Sequence, residues 1–239
     1  MNSKHILSAF DEDLESIQAR ISKMGGLVEL AILDSIKSLT TRDVELAETV
    51  RANDKLVDEL EAQILEDTAM VIALRAPTAV DLRVVLTVMK AAGNLERIGD
   101  YAKNIAKRTT VLAELVALEE ASRGMNRMAR EVQLMLKDVL DALVQRDAQL
   151  AADIIARDKD VDQMYNSLFR EFLTFMMEDP RNISTCMHLH FIAKNIERMG
   201  DHVTAIAEEV IYLVTGERLD DPRSKGDITS VDPDLSDLG

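Results

Sequence analysis

Apolar residues recur along this chain at steps of three and four. Leu46, Val50, Val57, Leu60 and Ile64 form one such series, the mark of an amphipathic helix that buries a single stripe. Runs of alternating β-branched residues, which would predict strands, are absent from the sequence. The helical pattern breaks at few places. It stops near Thr40-Thr41 and resumes at Asp43, a residue suited to capping a helix, then stops around Leu74, where Pro77 marks the next start. Three helices are predicted in the first half, from about Ile6 to Leu39, Asp43 to Leu74 and Thr78 to Leu115. The second half repeats them as roughly 118–145, 147–178 and 182–215, with Pro180 in the place of Pro77. From Gly216 onward the periodicity gives way to a stretch rich in Asp, Ser and Gly that holds Pro222 and Pro233, predicted to be an acidic, disordered tail.

The two halves are copies. Asn94-Leu95-Glu96-Arg97-Ile98-Gly99-Asp100 recurs as Asn195-Ile196-Glu197-Arg198-Met199-Gly200-Asp201, an offset of 101, and each copy runs on to an Ile-Ala pair, Ile105-Ala106 and Ile206-Ala207. Upstream the offset is 104: Arg42-Asp43 matches Arg146-Asp147, Asp54-Lys55 matches Asp158-Lys159, and Val57-Asp58 matches Val161-Asp162. The offset changes across the Pro region, where a connection between helices tolerates an insertion or deletion. Short connections make successive helices antiparallel neighbours. The expected fold is all-α: two tandem three-helix bundles over residues 1–115 and 116–215, followed by the tail, 216–239.

Composition narrows the possibilities. Nearly half of the 239 residues are hydrophobic, yet there is no Trp and only 3% are aromatic, so aliphatic residues and Met must fill the core. The net charge of −15 opposes nucleic acid as a partner and suits cations or basic protein surfaces. The lone Cys186 rules out an intramolecular disulfide and reads as a small buried hydrophobe. No targeting segment and no bilayer-length apolar run is visible, so a cytosolic protein is expected, with a peripheral membrane partner left open.

The repeated motif carries the candidate chemistry. Glu and Asp four residues apart share one helix face and repel each other unless a positive charge joins them. In an antiparallel hairpin, residues equally far from the turn lie level. Asp58 and Glu96 are each 19 residues from Pro77, and Asp54 and Asp100 are each 23. In the second half, Asp162 and Asp158 lie 18 and 22 residues before Pro180, and Glu197 and Asp201 lie 17 and 21 after it. Four carboxylates per half can therefore gather within about one turn, if the helices are rotated to suit. Hard cations such as Mg, Ca, Mn and Fe ions are the natural remedy for such a cluster. Gly99 and Gly200 interrupt the helices there, and a mid-helix Gly costs about 1 kcal/mol, which points to close approach of an ion or backbone. The plainer reading is a solvated acidic face neutralised by Arg97, Lys103, Arg198 or Lys55.

Other chemistry is thin. His188 and His190 diverge on a helix, and His202 has Tyr101 as its counterpart, so a shared His site is not supported. A Glu-x-x-His pair, a phosphate-cradling Gly loop and a nucleophile elbow are all missing from the sequence. No catalytic residues are predicted.

At these motifs the chain resembles the PhoU family, accessory and regulatory proteins of bacterial high-affinity phosphate transport. The two Asn-x-Glu-Arg-x-Gly-Asp segments match the family's motif in full, Asn53 to Asp58 and Arg157 to Asp162 also resemble the family's, and the resemblance spans roughly residues 5 to 215. The resemblance implies a non-enzymatic negative regulator of phosphate uptake and phosphate-starvation signalling. It implies two partners, the phosphate-sensing histidine kinase and the ATPase of the phosphate ABC transporter, with the protein cytoplasmic, peripheral to the inner membrane through them, and homodimeric. It further implies carboxylate-bound metal, divalent or trivalent, with Fe, Mn, Mg or Zn as candidates. Glu96, Asp100, Glu197 and Asp201 would be primary ligands, completed by Asp54, Asp58, Asp158 and Asp162. The alternatives are a metal-free acidic helical adaptor and a carboxylate-metal enzyme.

Overall fold

The structure, a computed structural model, describes residues 2–219, with side chains described from residue 10 onward except 11 and 119. Six helices follow in order: α1 (Asn2–Thr41), α2 (Val44–Arg75), α3 (Val80–Leu112), α4 (Glu119–Gln145), α5 (Ala148–Glu178) and α6 (Ile183–Thr215). A single 3₁₀ turn, Pro180–Asn182, leads into α6. The described residues contain no strand. The two repeats are therefore two three-helix units, as the periodicity predicts.

The α1–α2 and α4–α5 turns show how closely the copies agree. Arg42 and Arg146 both adopt left-handed backbone, φ 56° and 55°. The following Asp43 and Asp147 return a backbone bond to Ser38 O and Ala142 O. Their carboxylates then cap the next helix, accepting from the Leu46 amide and from the Gln149 and Leu150 amides. The second connection differs between copies. In the first half α3 begins only at Val80, after Ala76 and Ala79 have both taken positive φ, and it ends at Leu112, so it is shorter at each end than predicted. In the second half the 3₁₀ turn carries the chain directly into α6, with Asn182 donating to Phe175 O. Gly216, at φ 78°, closes α6 by donating its amide to Tyr212 O. Of the predicted tail, residues 220–239 lie outside the described residues.

One hydrophobic cluster runs through both halves. It takes in Met24, Leu95 and Ile98 of the first repeat and Met128, Ile196 and Met199 of the second, all fully buried. Each such side chain contributes about 1.5–3 kcal/mol by leaving water. The halves meet along α3 and α6, which run antiparallel, and along α1 and α4. Polar contacts mark the α3–α6 seam: Lys90 with Glu209, His202 with Asn94, and Arg108 with both His188 and the Phe191 ring. Cys186 is buried in the core, as expected.

Candidate metal-binding carboxylate faces

In the first half, α2 and α3 bring five carboxylates onto one face: Asp54, Asp58 and Glu61 from α2, and Glu96 and Asp100 from α3. Helical spacing puts the α2 group on one stripe, since Glu61 follows Asp58 by three residues and Asp54 by seven. Burial, and after it mutual repulsion, raises the pKa values of Asp58, Glu61 and Glu96 above the ordinary range. Burial, then the charge of Asp100, pushes the Glu96 carboxyl from its ordinary 4.5 up to about 7. Burial and Asp54 raise Asp58, and burial and Asp58 raise Glu61.

Basic residues offset this charge. Lys103 Nζ lies 2.5 Å from Asp54 Oδ2 and 3.6 Å from Asp100 Oδ1. Arg97 lies 3.4 Å from Glu96 Oε2 and 3.5 Å from Asp100 Oδ2. Asp54 is only 6% exposed, and its bond raises the Lys103 ammonium pKa further. The pairing runs diagonally across the hairpin: Glu96 feels Glu61, and Asp58 feels Asp100. The acids that influence one another across the hairpin are therefore not the level pairs expected from a pivot at Pro77, and α3 begins only at Val80.

The second half builds a related face with different neighbours. Glu197 is 2% exposed and Asp162 6% exposed, both deeper than most carboxylates. Lys194 Nζ sits 2.9 Å from Glu197 Oε1 and 4.9 Å from the Tyr165 ring centre. Tyr165 replaces Glu61, Thr204 replaces Lys103, and Lys194 stands where the first half has Gly93. The copies therefore neutralise their carboxylates from opposite sides of the motif, Lys103 beyond Asp100 and Lys194 before Glu197. His202 Nδ1 lies 2.8 Å from Asn94 Oδ1, and its ring packs against Tyr101.

The motif glycines are sites of close approach, but side chains make the approach. A Cβ on Gly99 would sit 3.4 Å from Val57 Cγ1 and 3.8 Å from Asp54 Oδ1. One on Gly200 would sit 2.8 Å from Asp158 Oδ1, so that carboxylate lies directly over the glycine backbone. Gly200 thus lets Asp158 press against the Glu-x-x-x-Asp helix, whereas at Gly99 a Cβ would make only ordinary contacts.

Among the described residues, no three His, Cys, Asp or Glu side chains are placed to hold one ion, because lysine and arginine engage the acids instead. The donor set nonetheless suits a hard cation. It is all carboxylate oxygen, burial and the neighbouring Asp100 charge raise Glu96 to about 7 in the first half, and in the second half Asp158 lies over Gly200. The Lys103 and Lys194 side chains, 41% and 28% exposed, can swing into water by rotamer changes. Glu61 was not a candidate from the sequence, although its position on the Asp54–Asp58 stripe signals it.

A tandem pair of three-helix units, each carrying the same acidic motif, defines a duplicated all-helical protein. The model of the PhoU domain matches residues 21–109 and again 125–210. This chain belongs to the PhoU family. It is 46% identical to a phosphate-specific transport system accessory protein PhoU homolog from Rhizobium meliloti over 96% of this chain and 97% of that one. It is 44% identical to the homolog of the same name from Caulobacter vibrioides, over 95% and 99%. Among solved structures, that of PhoU from Pseudomonas aeruginosa superposes with TM-score 0.84 at 38% identity, covering 87% of this chain and all of that one. The phosphate transport system regulatory protein PhoU from Streptococcus pneumoniae gives 0.82 at 30% identity, covering 88% and 99%.

Proposed function

We propose that this chain is an accessory and regulatory protein of phosphate transport, a negative regulator of phosphate uptake and phosphate-starvation signalling. The observation that carries this reading is full-length similarity, both repeats included, to accessory proteins of the phosphate-specific transport system. In this reading the protein is a metal-binding adaptor, not a catalyst. Its helical faces engage the ATPase of the phosphate transporter and the phosphate-sensing histidine kinase, and it self-associates as a homodimer. Among the described residues no helix is long and apolar enough to cross a membrane, so any membrane association would run through those partners.

Glu96, Asp100, Asp54 and Asp58 would hold metal in the first half, and Glu197, Asp201, Asp158 and Asp162 in the second. A bound cation supplies positive charge that cancels the repulsion on each face and can be shared with an acidic group of a partner. The backbone helps position the oxygens in the second half, where Gly200 admits Asp158 against the motif helix. Two tests separate the parts of the proposal. Removing the gene and measuring a phosphate-starvation reporter in phosphate-rich medium tests the regulatory role; derepression is expected, and an unchanged reporter contradicts it. Metal analysis of the protein, purified without chelator or metal resin, tests the sites. Stoichiometric metal in the parent and none after Glu96, Asp100, Glu197 and Asp201 are all changed to Ala is expected. Equal trace metal in both would leave a metal-free acidic adaptor, the reading that the Lys103 and Lys194 ion pairs favour.

A further inference from the structure

Where the halves join, at the end of the molecule beyond the carboxylate faces, lies a cavity of about 1030 Å³. The C-terminus of α1, the α3–α4 connection, the first turns of α4 and α6 and Glu171 of α5 line it, and it opens to solvent. It is separate from the metal-site residues: Leu112, on its wall, is 12 residues past Asp100, roughly 18 Å of helix. Leu39, Leu112 and Leu189 give it a buried apolar floor.

Four arginines line this one cavity: Arg42, Arg123, Arg127 and Arg130, against only Glu120 and Glu171. In a chain with 43 acidic and 28 basic residues, such a local excess is against the trend of the surface. Arg123, Arg127 and Arg130 are spaced four and three apart, so they form one line along α4. Arg123 lies 4.0 Å from Glu120 and the charge of Arg127 acts on Glu171, but Arg127 and Arg130 make no ion pair within 4 Å among the described residues. Arg42 is fixed in place, with Nη1 and Nη2 donating to Ala113 O at 3.4 Å and Leu115 O at 2.8 Å. Those two bonds leave three of its five N–H groups for a ligand. Nor is the line inherited from the repeat: at the offset of 104, Arg123, Arg127 and Arg130 correspond to Ala19, Lys23 and Gly26.

Guanidinium groups in a row bind adjacent phosphates in a forked, directional way, and an apolar floor suits a ring system attached to them. The volume is at the upper end for a small-molecule site. From this geometry we infer that the cavity binds a small anion with two or more linked phosphates and an apolar or aromatic body, the class of the nucleoside diphosphates.

The test is calorimetric titration of the full chain in EDTA, with ADP, inorganic pyrophosphate and an Asp-rich peptide as probes. ADP is expected to bind at one site, more tightly than pyrophosphate and less so as salt is raised. The double variant R127Q/R130Q should weaken it by about tenfold or more, as loss of charge-assisted bonds predicts. Arg51→Gln, on an exposed part of α2, should leave it unchanged, and an unshifted Tm would show that each variant is folded. No binding of ADP up to millimolar concentration would overturn the inference. So would equal affinity in R127Q/R130Q, pyrophosphate binding as tightly as ADP, or tighter binding of the Asp-rich peptide, which would make the cavity a protein-docking groove.

Discussion

Glu96 shows how a single residue reports the strain of the carboxylate face. Its folded-state pKa of about 7 lies above the ordinary 4.5, so the folded protein holds a proton there that the unfolded chain has released. That contributes stability present in full below about pH 4.5 and lost as the pH rises through 7. Glu96→Gln in the metal-free protein should therefore add about 1 kcal/mol at pH 8 and little at pH 4.5, after allowance for solvent screening. Urea unfolding at both pH values, with EDTA present, checks this. If the carboxylates hold a cation, protons compete for Glu96, so metal affinity should rise between pH 6 and pH 8. A second residue pair tests backbone strain. Arg42 and Arg146 share the same left-handed conformation, but Arg42 also donates to Ala113 O and Leu115 O. Arg146→Gly should stabilise by about 0.5–1 kcal/mol, whereas Arg42→Gly should gain nothing because it loses those bonds. Thermal melts of the two variants give the comparison.

Among the elements, α3 and α6 are the informative pair, because they carry the same motif with different tolerance. A Cβ on Gly99 meets Val57 at 3.4 Å, an ordinary contact, while one on Gly200 meets Asp158 at 2.8 Å and must displace it. Gly99→Ala should thus stabilise the protein by about 0.5–1 kcal/mol through helix propensity alone. Gly200→Ala should show less gain or a loss, and should selectively weaken metal binding in the second half. Denaturant titration together with metal content per chain distinguishes the two. The helix hairpins were legible in outline. Asp43 and Asp147 cap α2 and α5 as their positions predict, since a cap needs only a side-chain oxygen and the next few amides. The start of α3 was less legible, because Ala76 and Ala79 take positive φ, a conformation their side chains do not advertise. Glu61 went unrecognised for a related reason: it has no repeat counterpart, Tyr165 being in its place.

At the scale of the whole molecule, the continuous core makes the halves interdependent. Both α3–α6 and α1–α4 contacts join them, and Lys90–Glu209, Asn94–His202 and Arg108–His188 cross the seam. Residues 1–115 expressed alone should therefore be weakly folded, and should gain helicity and a cooperative melt when mixed with residues 116–239. Circular dichroism of each piece and of the mixture measures this; two independently cooperative halves would contradict it.

The sequence by itself determined the six helices, their duplication, the family and the similar heights of the eight acidic positions, four on each hairpin. Those follow from period, capping chemistry and spacing, which are local properties of the chain. Only the tertiary structure decided how each helix is rotated about its axis, and hence which cation each carboxylate meets. It set Lys103 on Asp54 and Asp100 in one half and Lys194 on Glu197 in the other. It also merged the two repeats into one core and brought Arg42 of the first repeat beside the arginine line of α4 around one cavity. These are outcomes of packing between elements far apart in sequence, where side-chain volumes and connection geometry, not the pattern along any one helix, fix the arrangement.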